Sequence, residues 1–454
     1  MCNAPKIGII QNTYIKRSGR FGRGRMTDME TMRRKLMPGV YLTYIQERKF
    51  KTNVLSAQMI APLEEAHAAA NALLPAVLRR GTARCSDMQA LSAVLDDLYG
   101  ARIDCTVRKK GEKQCVGFVA SFIDERVVPG GEKLLEPVAE LLGDLLCNPA
   151  TRSGRFVPDY VRGERENLVD QIRGQINDKR VYAQLRMLRE MCRGEAYGVS
   201  RLGSERDAEK LGPKKLYQRY TELLSAARLE LFYCGSAEIA RLEQALLSAF
   251  STLPRAELAE EPPVLPHAPA GAARYFTEEM DVTQGKLAVG FSCASEDYPA
   301  LMLFNMIYGG SSTSKLFMNV REKESLCYYA STMLHRQKNL ITLSSGIEVK
   351  DYEKALDEIL LQLKLAQQGA IEDWEEAGAR STIRHGLRAM GDSLGQLEEY
   401  YLGQAATGRM ETVEELAREV DAVTRERMLD AAAGIALDTV FFLKNRSGEE
   451  VAAQ

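Results

Sequence analysis

Apolar positions along this chain fall into short runs of strand type and longer stripes of helical period, and the same order of elements occurs twice. The first half has strand-type runs at Gly39 to Ile45 and Asn53 to Ile60. A helix is predicted over Glu64 to Leu78, because Ala66, Ala69, Ala70, Leu73, Leu74, Val77 and Leu78 recur at spacings of three and four. A second helix runs near Asp87 to Leu98. Strands follow at Ala101 to Val107 and Gln114 to Ser121, then helices from about Glu132 to Leu224 and a closing strand at Leu229 to Cys234. The second half offers strands at Arg274 to Glu278 and Leu287 to Ser292, with helices at Tyr298 to Ile307 and Ser314 to Lys323. Strands at Leu326 to Met333 and Leu340 to Ile347, helices from Tyr352 to Ile435 and a last strand at Thr439 to Leu443 complete it. The order strand, strand, helix, helix, strand, strand, helices, strand repeats at a separation of roughly 210 residues, which predicts an internal duplication of an α+β unit.

Between the repeats, Pro254 to Ala273 contains Glu260-Glu261-Pro262-Pro263 and Pro266-His267-Ala268-Pro269 and carries no sustained apolar period. Proline this dense breaks helices and sheets, so 254–273 is expected to be a linker. The domains then span 36–253 and 274–454, with 1–35 a disordered leader. Within that leader, Lys16 to Arg25 is basic and glycine-rich and could touch RNA or phosphate. A solvated disordered leader or an overextended start is the favoured reading, because the segment is short and the rest of the chain is not basic, so no nucleic-acid partner is expected.

Composition narrows the class. The chain has 454 residues, 45% apolar and 27% charged, with 60 basic against 62 acidic side chains. That balance gives no electrostatic case for nucleic acid or membrane binding. No stretch reaches the roughly 18 apolar residues a spanning helix needs, and Ile7-Gly8-Ile9-Ile10 is too short for a signal peptide, so a cytoplasmic location is expected. Nine widely spread cysteines without a CxxC pair read as reduced thiols; a catalytic cysteine is not nominated by any local arrangement.

The helix at 64–78 raises the question of chemistry. A zinc helix of the HxxEH type needs two imidazoles one turn apart and a glutamate between them to activate water. The frame Ala72-Leu73-Leu74-Pro75-Ala76-Val77-Leu78-Arg79-Arg80-Gly81-Thr82 would place Ala72, Pro75 and Ala76 at those positions, with no lone pair to give a metal. Read alone, it favours a core helix that never held a site, because apolar helical stripes are common. The four histidines, His67, His267, His335 and His385, are too scattered for a helical ligand pair; His67, beside Glu64 and Glu65, leaves an improvised site conceivable.

The second half decides between these readings. Tyr308-Gly309-Gly310-Ser311-Ser312-Thr313-Ser314-Lys315-Leu316-Phe317, followed by Val320-Arg321-Glu322-Lys323-Glu324-Ser325-Leu326-Cys327-Tyr328-Tyr329, resembles the pitrilysin/insulinase family of zinc peptidases. That family has a glycine-rich turn, a short helix ending in Arg-Glu-Lys, then Gly-Leu-Ala-Tyr; here Ser325 and Cys327 replace the glycine and alanine. Lys315 lacks a preceding glycine, so this is not a nucleotide loop. Arg80-Gly81-Thr82 and Leu98-Tyr99-Gly100-Ala101 fit the same family in the first half. The resemblance covers about Leu36 to Leu443.

It implies two tandem homologous α/β-roll domains of the pitrilysin/mitochondrial processing peptidase type, half of a four-domain clamshell. It makes Ala72, Pro75 and Ala76 vacated metal positions, and Gln171, in Glu164-Arg165-Glu166-Asn167-Leu168-Val169-Asp170-Gln171-Ile172, the vacated third ligand, so no metal or other cofactor is expected. It also implies that Arg321 and Tyr328 help to hold substrate backbone. Against that, Arg321 could pair with a local carboxylate and Tyr328 could pack in the sheet. Lys49 to Asn53, Asn177 to Ala183 and Gln284 to Leu287 are similar to the non-catalytic bacterial subgroup associated with aminopentanol modification of elongation factor P. The function implied is a non-catalytic subunit that pairs with an active zinc-peptidase homologue and helps to bind peptide or protein substrate. An active peptidase with a displaced metal or cysteine site, and a homodimeric binding scaffold, are the alternatives.

Overall fold

The computed structural model describes residues 31–255, 258 and 264–446. The basic segment Lys16 to Arg25 lies outside the described residues, as does the acidic-proline run Glu260 to Pro263. In the first half, strands β1 (Thr31–Met37), β2 (Val40–Gln46) and β3 (Thr52–Pro62) precede helices α1 (Glu65–Leu78) and α2 (Met88–Asp97). Strands β4 (Arg102–Lys110) and β5 (Lys113–Ile123), helix α3 (Leu135–Cys147) and the short hairpin β6 (Thr151–Arg152) and β7 (Arg155–Phe156) come next. Helices α4 (Pro158–Gly174), α5 (Lys179–Met191), α6 (Glu205–Glu209) and α7 (Pro213–Ala226), strand β8 (Arg228–Gly235) and helix α8 (Ile239–Ala249) close this half. The second half has β9 (Arg274–Met280), β10 (Gly285–Cys293), α9 (Tyr298–Asn305), β11 (Tyr329–His335) and β12 (Leu340–Ile347). Helices α10 (Tyr352–Gln367), α11 (Asp373–Gly391), α12 (Leu394–Ala406), α13 (Val413–Asp421) and α14 (Arg425–Ala433) lead to β13 (Ile435–Asn445).

The two sheets have one topology. The first runs β1-β2-β8-β3-β5-β4 and the second β11-β12-β10-β13-β9. In each, the last strand of the half inserts centrally, parallel to the first repeat strand and antiparallel to the next: β8 between β2 and β3, β13 between β9 and β10. The fold is thus α+β with a duplicated unit.

Two features depart from the expected pattern. Thr31–Lys35, expected within a disordered leader, form most of edge strand β1, antiparallel to β2. Met32, Leu36 and Met37 pack on the first core, while Arg33 pairs with Glu230 and Arg34 reaches Glu243 at 2.7 Å. A run of basic residues therefore reads as solvated although its charges are matched by carboxylates distant in sequence. The helix expected at Ser314 to Lys323 is wound over Leu316–Lys323 as a π-helix, a rare geometry that concentrates at functional sites.

Each sheet buries one face under its own helices and the other under a helix of the opposite half. In the first core, Leu42, Leu55, Met59 and Leu231 meet residues of α1 and α3. On its other face, Ile45, Val54, Phe232 and Cys234 join the second half's core, where Phe232 stacks on Tyr401 of α12 with centroids 6.1 Å apart. Reciprocally, Ala183, Met187 and Met191 of α5 cover Ala288, Phe441 and Leu443 of the second sheet. Helices α5 and α12 occupy matching places, each being the third long helix after its hairpin strand. Contact at the α5 seam is close because Gly290 has no side chain: a Cβ there would overlap the sulfurs of Met187 and Met191. Gly290→Val is expected to lower unfolding stability by about 1–3 kcal/mol in urea denaturation, the usual cost of forcing volume into a filled core; an unchanged midpoint would contradict this seam.

His335 of β11 is half-buried at the same junction. Tyr197 Oη of the first half lies 2.8 Å from its Nδ1 and Thr342 Oγ1 lies 2.9 Å from its Nε2. Burial, with the Lys109 charge adding to it, lowers its pKa from 6.5 to about 4. The unfolded chain then binds more protons between these values, so this contribution to stability is complete above pH 6.5 and is lost as pH falls to about 4. The change amounts to about 3 kcal/mol. His335→Gln is expected to flatten stability against pH over this window, whatever its effect on the absolute value; an unaltered slope in denaturation series across pH 4–7 would refute it.

Candidate functional site

Helix α1 grows directly from the end of β3 and is apolar almost all round, with Ala68 to Pro75 buried without a break. Its burial is why alanine dominates: small side chains let α1 pack between the sheet and helices α4, α6 and α7. Ala72 and Pro75 are buried and Ala76 is half-buried. Pro75 has no backbone N–H, so one intrahelical bond is missing at that turn; its carbonyl accepts from Arg79 N at 3.0 Å and from the Cys105 thiol at 3.3 Å. Neighbouring polar atoms are engaged. Asn71 donates to Gln114 Oε1 at 2.9 Å and accepts from Arg219 Nε at 2.8 Å, and Arg80 Nε donates to Glu164 of α4 at 2.5 Å. Gln171 is exposed on α4, about 10 Å along the helix from Glu164. A zinc ion does not fit this set, because Ala72, Pro75 and Ala76 offer no side-chain donor atom and the carboxylate tied to α1 is already held by an arginine.

His67 meets only Glu64, at 3.7 Å, so no improvised site forms around it among the described residues. The one described grouping with three ligand types within reach of one point lies elsewhere: Cys192, Glu195 and His267. His267, from the proline-rich segment, is buried with Nδ1 2.6 Å from Glu195 and Nε2 3.2 Å from Asp438. Lys338 Nζ lies 2.7 Å from Glu195 and 2.8 Å from Glu112, and Arg274 pairs with Asp438 at 2.6 Å. Although burial disfavours their charge, hydrogen bonds from Lys338 and from Ala270 N, Thr439 and Arg274 hold the Glu195 and Asp438 carboxyls below their ordinary range. Burial pushes the Cys192 thiol up to about 12. The carboxylates of Glu195 and Asp438 are already paired with Lys338, Arg274 and His267, so the group is an ionic clasp between the halves. The sequence shows only an isolated histidine in a proline-rich stretch, and its partners come from five separate segments.

Five described thiols do not suit nucleophilic catalysis. Burial raises Cys105, Cys115, Cys234 and Cys293 to about 12 and Cys147 to about 11. An activated cysteine requires the opposite shift.

In the second half, α9 leads into a π turn over Met306–Gly310 and then into the π-helix of Leu316–Lys323. Lys315 is buried and donates to both oxygens of Glu375, at 3.0 and 2.9 Å, so it anchors α11 and faces no phosphate. Arg321 leaves the π-helix with its side chain 42% exposed, stacked 4.6 Å over Phe317 and touching Glu322 only at 3.5 Å. Ser325, standing where the resembling family has glycine, holds φ at 54°, the left-handed conformation that glycine adopts without strain. The backbone turn therefore survives the substitution. It delivers Tyr328 to the start of β11, 53% exposed, with its hydroxyl donating to Glu348 at 2.5 Å. That bond raises the phenol's pKa and keeps it a donor. Tyr328 is thus not packed in the sheet, and Arg321 has only one weak carboxylate neighbour. No described contact joins either residue to α1.

The duplicated α+β unit is that of the M16 metallopeptidase fold, and the comparisons put the chain with its inactive homologues. Residues 210–383 match the family described as Peptidase M16 inactive domain. The chain is 33% identical over 420 residues to the probable inactive metalloprotease YmfF of Bacillus subtilis (strain 168), covering 90% of this chain and 97% of that protein. It belongs to this M16 family as an inactive homologue. An uncharacterized zinc protease, YmxG, of the same organism is 23% identical over 159 residues, 34% of this chain and 39% of that protein. The crystal structure of a conserved protein from Enterococcus faecalis V583 superposes with a TM-score of 0.83 at 26% identity, covering 92% of this chain and 99% of that one. No helix among the described residues is long and apolar enough to cross a membrane.

Zinc supplied in excess and then removed by dialysis is expected to leave the chain with far less than one equivalent by elemental analysis, and EDTA is expected to leave its melting temperature unchanged. A ligand bound only by the folded state would stabilise it, so a chelator-dependent drop of several degrees would show a site that α1 lacks.

Proposed function

We propose that this chain is a non-catalytic M16 subunit that pairs with an active zinc-peptidase homologue, closes half of a clamshell and helps to hold a peptide or protein substrate at the partner's zinc. One observation carries the reading: the chain keeps exposed donors at Arg321 and Tyr328 while Ala72, Pro75 and Ala76 of α1 have no side chain able to hold a metal. An arginine supplies a fork of donors and a tyrosine one more, which suits the carbonyls and carboxylates of an extended substrate. The likeness to a zinc protease over part of the chain supports a partner of that kind. We place the subunit in the cytoplasm and, on its resemblance to the associated bacterial subgroup, in the elongation factor P modification pathway. In this reading Ala72, Pro75, Ala76 and Gln171 are vacated ligand positions, and residues 36–253 and 274–454 are the two domains joined by the 254–273 linker.

The test is to co-express the chain with an HxxEH-containing homologue encoded beside it. Co-elution as a complex with altered peptide turnover is expected. Arg321→Ala should raise KM about fivefold with kcat little changed, because a lost charge-assisted hydrogen bond is worth about 1.5–3 kcal/mol at most and less when exposed. Failure to associate, or self-association without any effect on the homologue, would overturn the pairing.

A further inference from the structure

A cavity of about 340 Å³ opens at the seam between the halves, apart from Arg321 and Tyr328. Its wall combines the end of β4, the linker at Val264, the start of α9, the end of β11, and α12 with the loop that follows it. Three cations line it, and they differ in what they have left to offer. Lys110 is committed to an ion pair with Glu399. Arg336 stacks 4.2 Å over Tyr298 and gives one nitrogen to Glu411 at 2.6 Å, while its buried Nε has no partner. Arg409 is exposed at the rim, and its guanidinium makes no hydrogen bond or ion pair among the described residues.

Gln404 of α12 supplies the second unmet group. It lies in the same wall, is only 5% exposed, and its amide oxygen is sealed from solvent without a partner. Its amide nitrogen forms no hydrogen bond among the described residues either. The buried oxygen is an acceptor that a carboxylate cannot serve, so what Gln404 offers a carboxylate in this wall is the donor at Nε2. Beside these polar groups, Leu334 and Met390 give the cavity an apolar side. Glu399 and Glu411 at its margins oppose a dianion, whereas one negative charge balances Arg409.

The volume is at the small end for ligand sites, room for one or two residues and no more. From this we infer that the cavity binds the C-terminal residue of a peptide, its carboxylate on Arg409 and the Gln404 amide and its side chain against Leu334 and Met390. The inference rests on the peptide-holding reading and adds to it a second, chemically distinct contact. A guanidinium with an amide is a carboxylate receptor by donor count alone.

The experiment uses the full chain and a fluorescein-labelled decapeptide ending in leucine, as the free acid and as the C-terminal amide, with N-acetyl-leucine as competitor. Fluorescence anisotropy is expected to show the acid binding about tenfold more tightly than the amide, one charge-assisted contact. Arg409→Ala, at an exposed position, should abolish the difference; Gln404→Leu should reduce it; Arg321→Ala should weaken acid and amide alike. Equal binding of acid and amide, or a preference that survives Arg409→Ala, overturns the carboxylate site while leaving peptide holding to be judged by the Arg321 arm. Binding of N-acetyl-leucine with no binding of either peptide overturns both.

Discussion

Neither sheet of this protein is closed by its own half, and that shared dependence constrains everything else. A mixed sheet with two apolar faces needs cover on both. The helices of each half bury one face; the other is buried by α5 across β10 and β13, and by α12 across β3 and β8. The contact is tightest at Gly290, where helix and strand approach without a side chain between them. Such a seam is a packed core, not a hinge, because separating it would expose apolar residues of both sheets together. The ionic clasp of His267, Glu195, Asp438 and Lys338 sits at the edge of this seam. Its buried charges are tolerable because each has an opposite charge within hydrogen-bond distance.

The duplicated order of elements was legible in the hydrophobic spacing, since each repeat strand and helix buries apolar side chains at the expected period. What the spacing did not disclose has a common physical cause. Strand β1 hides behind Arg33, Arg34 and Lys35; Arg33 and Arg34 have partners about two hundred residues away, and no local pattern announces a long-range pair. Helix α8 and the β6–β7 hairpin belong to the first half alone, so the repeat gave no reason to expect them. The π winding before Ser325 does not alter which residues are apolar and therefore leaves no mark on the period.

The candidate site was legible to a different degree. Residue types alone settle that Ala72, Pro75 and Ala76 have no side-chain lone pair to offer, and the structure adds how the surrounding polar groups are used: Asn71, Arg80 and Cys105 are tied to neighbouring elements. For Arg321 and Tyr328 the sequence left packing and binding equally open. In the structure the stacked guanidinium and the hydroxyl bound to a surface carboxylate remain reachable from solvent, so neither side chain is buried in the sheet. His267 and Gln404 carried no signal, since what matters about each is the set of distant groups it does or does not meet.

The central insertion of β8 and β13 also dictates an order of assembly on the ribosome. The first sheet gains its middle strand when β8 emerges, before the linker is made, but its second face waits for α12. The second sheet waits longer: β10 and β9 are separated by a strand that follows α14, so β9 has no partner until β13 arrives. Through most of synthesis the nascent chain therefore carries an unpaired strand edge and an uncovered apolar face, the features that invite misassociation. Loss of β13 would not trim an edge but would split the second sheet through its interior, and α5 would lose its floor.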